Sequence, residues 1–239
     1  MTHVAVITGA DRGLGFALTE SLLREGWTVF SGQYLPEWQQ LGALRERYPG
    51  FLHLIPLDVS STVSVSAAAD EVAKLTDHVD LLINNAGITS PSMTSSIREP
   101  QNYDEMHRLY DTNTLASLRM VESFIKLLER GTMRRLCFVS SEAGSIAKAT
   151  RRSWFGYCMS KTALNMAVKI LFNDLRPEGF TFRLYHPGWM RTYMSGTKSL
   201  DADMEPEEAV AWALPFFMND RTNEDHLAMI DYTGAEWPW

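Results

Sequence analysis

Tyr157 and Lys161 stand four residues apart within a stretch, 155–176, whose apolar spacing predicts a helix. Residues at that interval share one helix face. A free phenol, with a pKa near ~10, is a poor acid–base group at neutral pH. A neighbouring ammonium favours the phenolate and lowers that pKa. The pair therefore suits proton transfer to or from an oxygen on a reacting carbon. A bare Tyr-x-x-x-Lys is also common on solvated helix surfaces, so its meaning depends on what surrounds it.

A second chemical signal lies near the start of the chain. Thr8-Gly9-Ala10-Asp11-Arg12-Gly13-Leu14-Gly15 joins a predicted strand, Val4–Ile7, to a predicted helix over 16–25. Glycines in that position permit a tight turn and a close backbone approach to a pyrophosphate, and the helix N-terminus offers free N–H groups and a favourable dipole. The spacing is Gly-x-x-x-Gly-x-Gly rather than Gly-x-Gly-x-x-Gly. No Lys-Ser/Thr follows the last glycine, so the loop is not of the Walker type.

Both groups need a frame, and strand alternates with helix along the chain. Strands are expected at 4–7, 28–30, 51–57, 80–83, 136–139, 182–185 and 227–230. Helices are expected at 16–25, 38–48, 63–75 (capped by Ser60 or Ser61), 102–130, 155–176 and 205–217. Continuous apolar runs such as Val4-Ala5-Val6-Ile7 suit parallel strands covered on both faces. Such alternation implies a parallel sheet with right-handed crossovers. The long loops 89–101 and 142–154 leave C-terminal strand ends, where open α/β sheets bind ligands. No stretch reads as a linker, so one domain over 1–239 is expected.

Composition narrows the function classes. The chain has 239 residues, 45% of them apolar, enough for a sizeable core. A net charge of −7 argues against a nucleic-acid binder. Cys137 and Cys158 lack metal-ligand spacing, and reduced thiols and no bound metal are expected. No signal peptide or membrane-length apolar run is found, and a cytoplasmic location without membrane contact is expected.

Four motifs in order carry a resemblance to the short-chain dehydrogenase/reductase family. They are Thr8–Gly15, Asn84-Asn85-Ala86-Gly87, Tyr157-Cys158-Met159-Ser160-Lys161, and Pro187-Gly188 with Thr192. The resemblance implies a Rossmann-type, doubly wound parallel sheet of about seven strands in the order 3-2-1-4-5-6-7, with helices on both faces. It implies NAD(P)(H)-dependent hydride transfer between a nicotinamide and a carbonyl or alcohol carbon, with Tyr157 as general acid/base. Lys161 would bind the nicotinamide ribose, Ser141 would hydrogen-bond the substrate oxygen, and Asn113 would hold a water in a proton relay.

The interval from Ser141 to Tyr157 is longer than is usual in the family, as in its carbonyl-reductase-like and C-factor/sniffer-like branch. The C-terminal pattern Asp231-Tyr232-Thr233-Gly234 with Trp237-Pro238-Trp239 also resembles that branch. The shift leaves both Ser140 and Ser141 in view, with Ser141 favoured.

The family's cofactor positions fall on Gly9, Asp11, Arg12, Gly13, Leu14, Gly15, Gln33, Asp58, Val59, Asn85, Ala86, Gly87, Tyr157, Lys161, Pro187, Gly188 and Thr192. No Asp or Glu closes the second strand, which reads Phe30-Ser31-Gly32-Gln33-Tyr34. NADP(H) is therefore favoured over NAD(H), with Arg12 as the basic group for a 2′-phosphate. Ser141, Trp154, Trp189 and Tyr193 are expected to flank a small-molecule carbonyl or alcohol substrate. Lys148, Arg151 and Arg152 would attract an acidic substrate or simply be solvated. Relatives form homodimers and homotetramers through helices matching 102–130 and 155–176, and others are monomeric. The alternative function is a catalytically weak, cofactor-binding signalling protein of C-factor type.

Overall fold

A computed structural model describes residues 2–90 and 93–239. Eight strands form one sheet: β1 Val4–Ile7, β2 Thr28–Gln33, β3 Leu52–Pro56, β4 Leu81–Asn84, β5 Arg135–Val139, β6 Thr181–His186, β7 Met229–Asp231 and β8 Glu236–Trp237. Their order is β3-β2-β1-β4-β5-β6-β7-β8. All neighbours pair in parallel except β7 and β8. The helices are α1 Gly13–Arg24, α2 Gln40–Arg47, α3 Thr62–Leu75, α4 Tyr103–Tyr110, α5 Ala116–Leu128, α6 Phe155–Leu175 and α7 Pro206–Met218.

The apolar strands read as they do because both faces are covered. Val4 and Val6 join a core with residues of α3, α5 and α6, while Ala5 and Ile7 face α1, α2 and α7. Ser61 caps α3 by accepting the Ser64 amide, whereas Ser60 turns instead to Asp58.

The seven expected strands stand in the expected order, and an eighth, antiparallel strand extends the sheet beyond β7. Asp231 builds the turn into it, its Oδ1 accepting from the amides of Thr233 and Ala235 and its Oδ2 from Trp237 Nε1. A hairpin organised by one carboxylate leaves little trace in hydrophobic spacing. The continuous helix expected at 102–130 is interrupted by a π-helical turn, Asp111–Leu115. Periodicity cannot detect one inserted residue in a helix whose flanks both remain apolar.

The far end of the sheet holds two buried arginines. Arg183 is fully buried, pairs with both oxygens of Glu224 at 2.7 Å, and donates to the Phe216 and Asn219 carbonyls. Arg135 donates to the Phe217 and Met218 carbonyls. Together they satisfy the carbonyls that the end of α7 leaves without helical partners.

Candidate active site

Parallel register brings the motifs to one edge. Ile7 pairs with Ile83, Asn84 with Phe138, and Val139 with Tyr185. The segments that follow each strand therefore emerge side by side: the glycine loop, Asn85–Gly87, Ser140–Ser141 and Pro187–Gly188.

The glycine loop is built for close approach. Gly9 has φ +63°, and a Cβ on Gly15 would lie 2.2 Å from the Gly9 carbonyl oxygen. The Thr8 hydroxyl accepts from the amides of Asn85 and Ala86, and Asn85 Nδ2 donates to the Thr8 and Gly9 carbonyls. The loop is thus tied to the end of β4. Leu14 is buried in the core beneath it. Asp11 is also buried, its carboxylate accepting from the Tyr34 and Leu35 amides. That side chain anchors the glycine loop to the segment after β2 and Gln33. Asp58 Oδ1 accepts from Ser60, and the Val59 carbonyl accepts from Arg119. Thr192 lies over the loop, its Cγ2 3.3 Å from where a Gly13 Cβ would be.

Tyr157 and Lys161 share the buried face of α6. Lys161 Nζ sits 5.8 Å from the Tyr157 ring centroid and donates to the Val139 carbonyl at 3.0 Å. The Ser141 hydroxyl acts on the Tyr157 phenol from nearby. Burial dominates the phenol's acidity and pushes its pKa up to about 12, with the Ser141 hydroxyl pulling the other way. In the chain alone burial, and not the ammonium, sets the direction. Burial likewise pulls the Lys161 amine down to about 8. Desolvation disfavours whichever form is charged, so the two groups move in opposite directions.

The two serines separate cleanly. Ser140 donates its hydroxyl to buried Asn165 Oδ1 at 2.6 Å, away from the phenol. Ser141 meets Tyr157 and caps the short turn Glu142–Gly144 by accepting the Ala143 amide. Asn113 lies in the π turn, where Oδ1 accepts from the Ile88 amide and Nδ2 donates to the Ile88 carbonyl and Ser160 Oγ. Ser160 in turn donates to the Tyr157 carbonyl. Asn113 therefore braces the chain after Gly87 against the first turns of α6.

The expanded loop forms a roof. The Trp154 indole stacks on the Tyr157 ring, centroids 4.3 Å apart, and Arg151 lies 5.4 Å over the indole. Arg151 pairs with Glu142 through both guanidinium nitrogens, so it is neither a free attractor nor merely solvated. Trp154 has φ +66°, a conformation bulky residues rarely take. Its Nε1 and His186 Nδ1 are buried without hydrogen-bond partners among the described residues. Trp189 is exposed at the rim, and Tyr193 packs edge-on against Trp38, toward the glycine loop. His186 and Trp38 escaped sequence reasoning. The residue before Pro187-Gly188 was a visible cue for the first, and nothing signalled the second.

Among the described residues no helix is long and apolar enough to cross a membrane, and no cluster of three His, Cys, Asp or Glu suits a metal ion.

Known proteins place this geometry. The short chain dehydrogenase family model matches residues 3–203. C-signal of Myxococcus xanthus is 39% identical over 165 residues, covering 69% of this chain and 95% of that protein. An uncharacterized oxidoreductase of Schizosaccharomyces pombe is 32% identical over 94% of this chain and 88% of its own. Among solved structures, the NADPH-bound carbonyl reductase from chicken fatty liver superposes with a TM-score of 0.86 at 27% identity, covering 100% of this chain and 99% of that one. A short-chain dehydrogenase/reductase from Burkholderia multivorans with bound NADP gives 0.87 at 29%, with both chains covered fully. The glycine loop, the serine, tyrosine and lysine at one sheet edge, and a family match across most of the sequence agree: this chain belongs to the short-chain dehydrogenase family of oxidoreductases.

Proposed function

We propose that this protein is an NADP(H)-dependent carbonyl reductase in which Tyr157 is the proton donor. The observation that carries the reading is the setting of Tyr157: the Lys161 amine 5.8 Å from its ring centroid, the Ser141 hydroxyl favouring its phenolate, at the sheet edge that bears the glycine loop. The two relatives solved with NADPH or NADP support the cofactor class. So does the end of β2, where Gln33 presents no carboxylate to repel a 2′-phosphate.

The residues fit a dinucleotide. The glycine cradle at Gly9, Gly13 and Gly15 would take the pyrophosphate, Arg12 a 2′-phosphate, Asp58 and Val59 the adenine side, and Asn85, Ala86 and Gly87 the cleft wall. Pro187, Gly188 and Thr192 would hold the nicotinamide side, and Lys161 the adjoining ribose. When bound, NADPH supplies the hydride that forms the new C–H bond. Tyr157 gives its proton to the carbonyl oxygen as that oxygen gains charge, and Ser141 hydrogen-bonds the same oxygen. Lys161, its charge unpaired by any carboxylate among the described residues, favours the phenolate left behind. Because both ends of the Asn113 side chain are engaged, a relay water there falls to its main-chain carbonyl. A phenol held protonated up to about 12 favours reduction over alcohol oxidation at neutral pH. Trp154 and Trp189 would flank the substrate.

The test is NADPH oxidation with a panel of aldehydes, ketones and quinones. Tyr157→Phe should lower kcat by ~10²-fold or more while NADPH still binds. No turnover with any carbonyl, or full activity in Tyr157→Phe, would sink the reading. The C-signal relative favours a second reading, a signalling protein that keeps the dinucleotide cleft. That reading predicts undiminished biological activity in Tyr157→Phe.

A further inference from the structure

Arg12 is a half-buried cation with an unusual set of neighbours. Among the described residues it makes no ion pair and no side-chain hydrogen bond. Its guanidinium carbon instead lies 4.9 Å over the Trp38 ring. Trp38 comes from the segment between β2 and α2, on the far side of the glycine loop. Its ring also meets Tyr193, edge-on at 5.0 Å. Tyr193 belongs to a loop pinched at its base, where Met190 bridges Met204 and Asp203 donates to the Trp189 carbonyl.

Three consecutive residues of that loop meet three walls of the cleft. Thr192 approaches Gly13, Tyr193 meets Trp38, and Met194 Cε lies 3.5 Å from where a Gly87 Cβ would be. Arg12 also stands at the N-cap of α1, where amide dipoles favour an anion. An aromatic face orients a guanidinium while leaving all five of its N–H donors available.

The geometry points to Trp38 as a specificity-determining, positioning residue: it aims Arg12 at a phosphate monoester on the adenosine ribose and, through Tyr193, links that recognition to closure of the 190–204 loop. This rests on the dinucleotide reading above. Tyr193 then serves the cofactor side rather than the substrate side expected from sequence. A purely packing role for Trp38 would not distinguish phosphorylated from unphosphorylated ribose.

The test is calorimetric titration of NADPH, NADH and 2′,5′-ADP into wild-type protein, Trp38→Leu, Trp38→Phe and Arg12→Met. Leucine keeps bulk without the aromatic face, and phenylalanine keeps the face. Trp38→Leu should weaken NADPH and 2′,5′-ADP roughly five- to tenfold and leave NADH within about twofold; Trp38→Phe should restore most of the loss. In an Arg12→Met background the Trp38→Leu effect should vanish. Tyr193→Ala should speed tryptic cleavage at Lys198 in the presence of NADPH.

Equal weakening of NADPH and NADH in Trp38→Leu, or none of either, overturns the inference and leaves the reductase reading intact. Wild-type protein that binds neither dinucleotide overturns both. If Trp38→Leu does not fold, Arg12→Met with an unchanged NADPH-to-NADH affinity ratio overturns the inference.

Discussion

The indole of Trp154 lies against the phenol of Tyr157, ring centroids 4.3 Å apart and planes 13° from parallel. Trp154 holds this position with φ +66° at the N-cap of α6, a conformation costing a bulky residue on the order of 1–3 kcal/mol. The stack keeps water from one face of the phenol, whose pKa burial pushes up to about 12. Trp154→Ala should lower kcat roughly three- to tenfold. It should also move the high-pH limb of the reduction profile to lower pH, because a wetter phenol loses its proton more readily. Trp154→Phe should keep most of both. A pH–rate profile of the alanine variant that overlays wild type would refute the assignment.

Ser140 and Ser141 are neighbours with separable effects. Ser140→Ala leaves buried Asn165 Oδ1 without its 2.6 Å donor, so a stability loss of about 1–3 kcal/mol is expected with kcat little changed. Ser141→Ala removes the partner of the Tyr157 hydroxyl and should lower kcat by ~10²-fold with a smaller effect on stability. Denaturant unfolding alongside steady-state kinetics checks the pair, and the reverse pattern would reassign the donor.

Burial of Lys161 has a thermodynamic signature. Its amine falls from the ordinary 10.5 to about 8 in the folded chain. Between those values the unfolded chain binds more protons, so stability should rise with pH from about 8 toward 10 and be flat below. The raised phenol of Tyr157 acts oppositely, but only above its ordinary value of 10. Lys161→Met should abolish the rise and, without added dinucleotide, stabilise the protein at pH 7 by on the order of 2 kcal/mol, desolvation relief exceeding the lost bond to Val139. Urea unfolding across pH 6–10 reads this directly. A flat wild-type curve would contradict it.

Arg183 should matter for folding and not for chemistry. Burial works against the Glu224 carboxylate, yet the Arg183 hydrogen bonds and the Arg221 amide hold its pKa below the usual range. Arg183→Met strands that carboxylate and the carbonyls at the end of α7, and should cost about 3–5 kcal/mol. Adding Glu224→Met should recover part of the loss. Thermal unfolding of the single and double variants measures both, with NADPH affinity as the control.

Much of the machinery was readable in residues 8–15, 84–87, 157–161 and 187–192, because each motif is local. A turn needs glycine at a given position, and one helix turn brings Tyr157 to Lys161 whatever the rest does. The strand and helix pattern was equally local, since parallel strands covered on both faces must be apolar throughout; the sheet order was implied by the family resemblance, with β8 alone missing.

Contacts between distant segments were decided only by the fold. Ser140 and Ser141 were separated by which residue of α6 each hydroxyl meets, Asn165 for the first and Tyr157 for the second, and the π turn placed Asn113 between Ile88 and Ser160. The acidity of Tyr157 followed from how deeply α6 packs, which reversed the direction that Lys161 alone suggests. Arg12 met Trp38, and Trp38 met Tyr193, only because three loops leave neighbouring strand ends. The sequence determined which groups exist and the local backbone that carries them. Burial and side-chain partnership are properties of segments far apart in the chain, and only tertiary packing decides them.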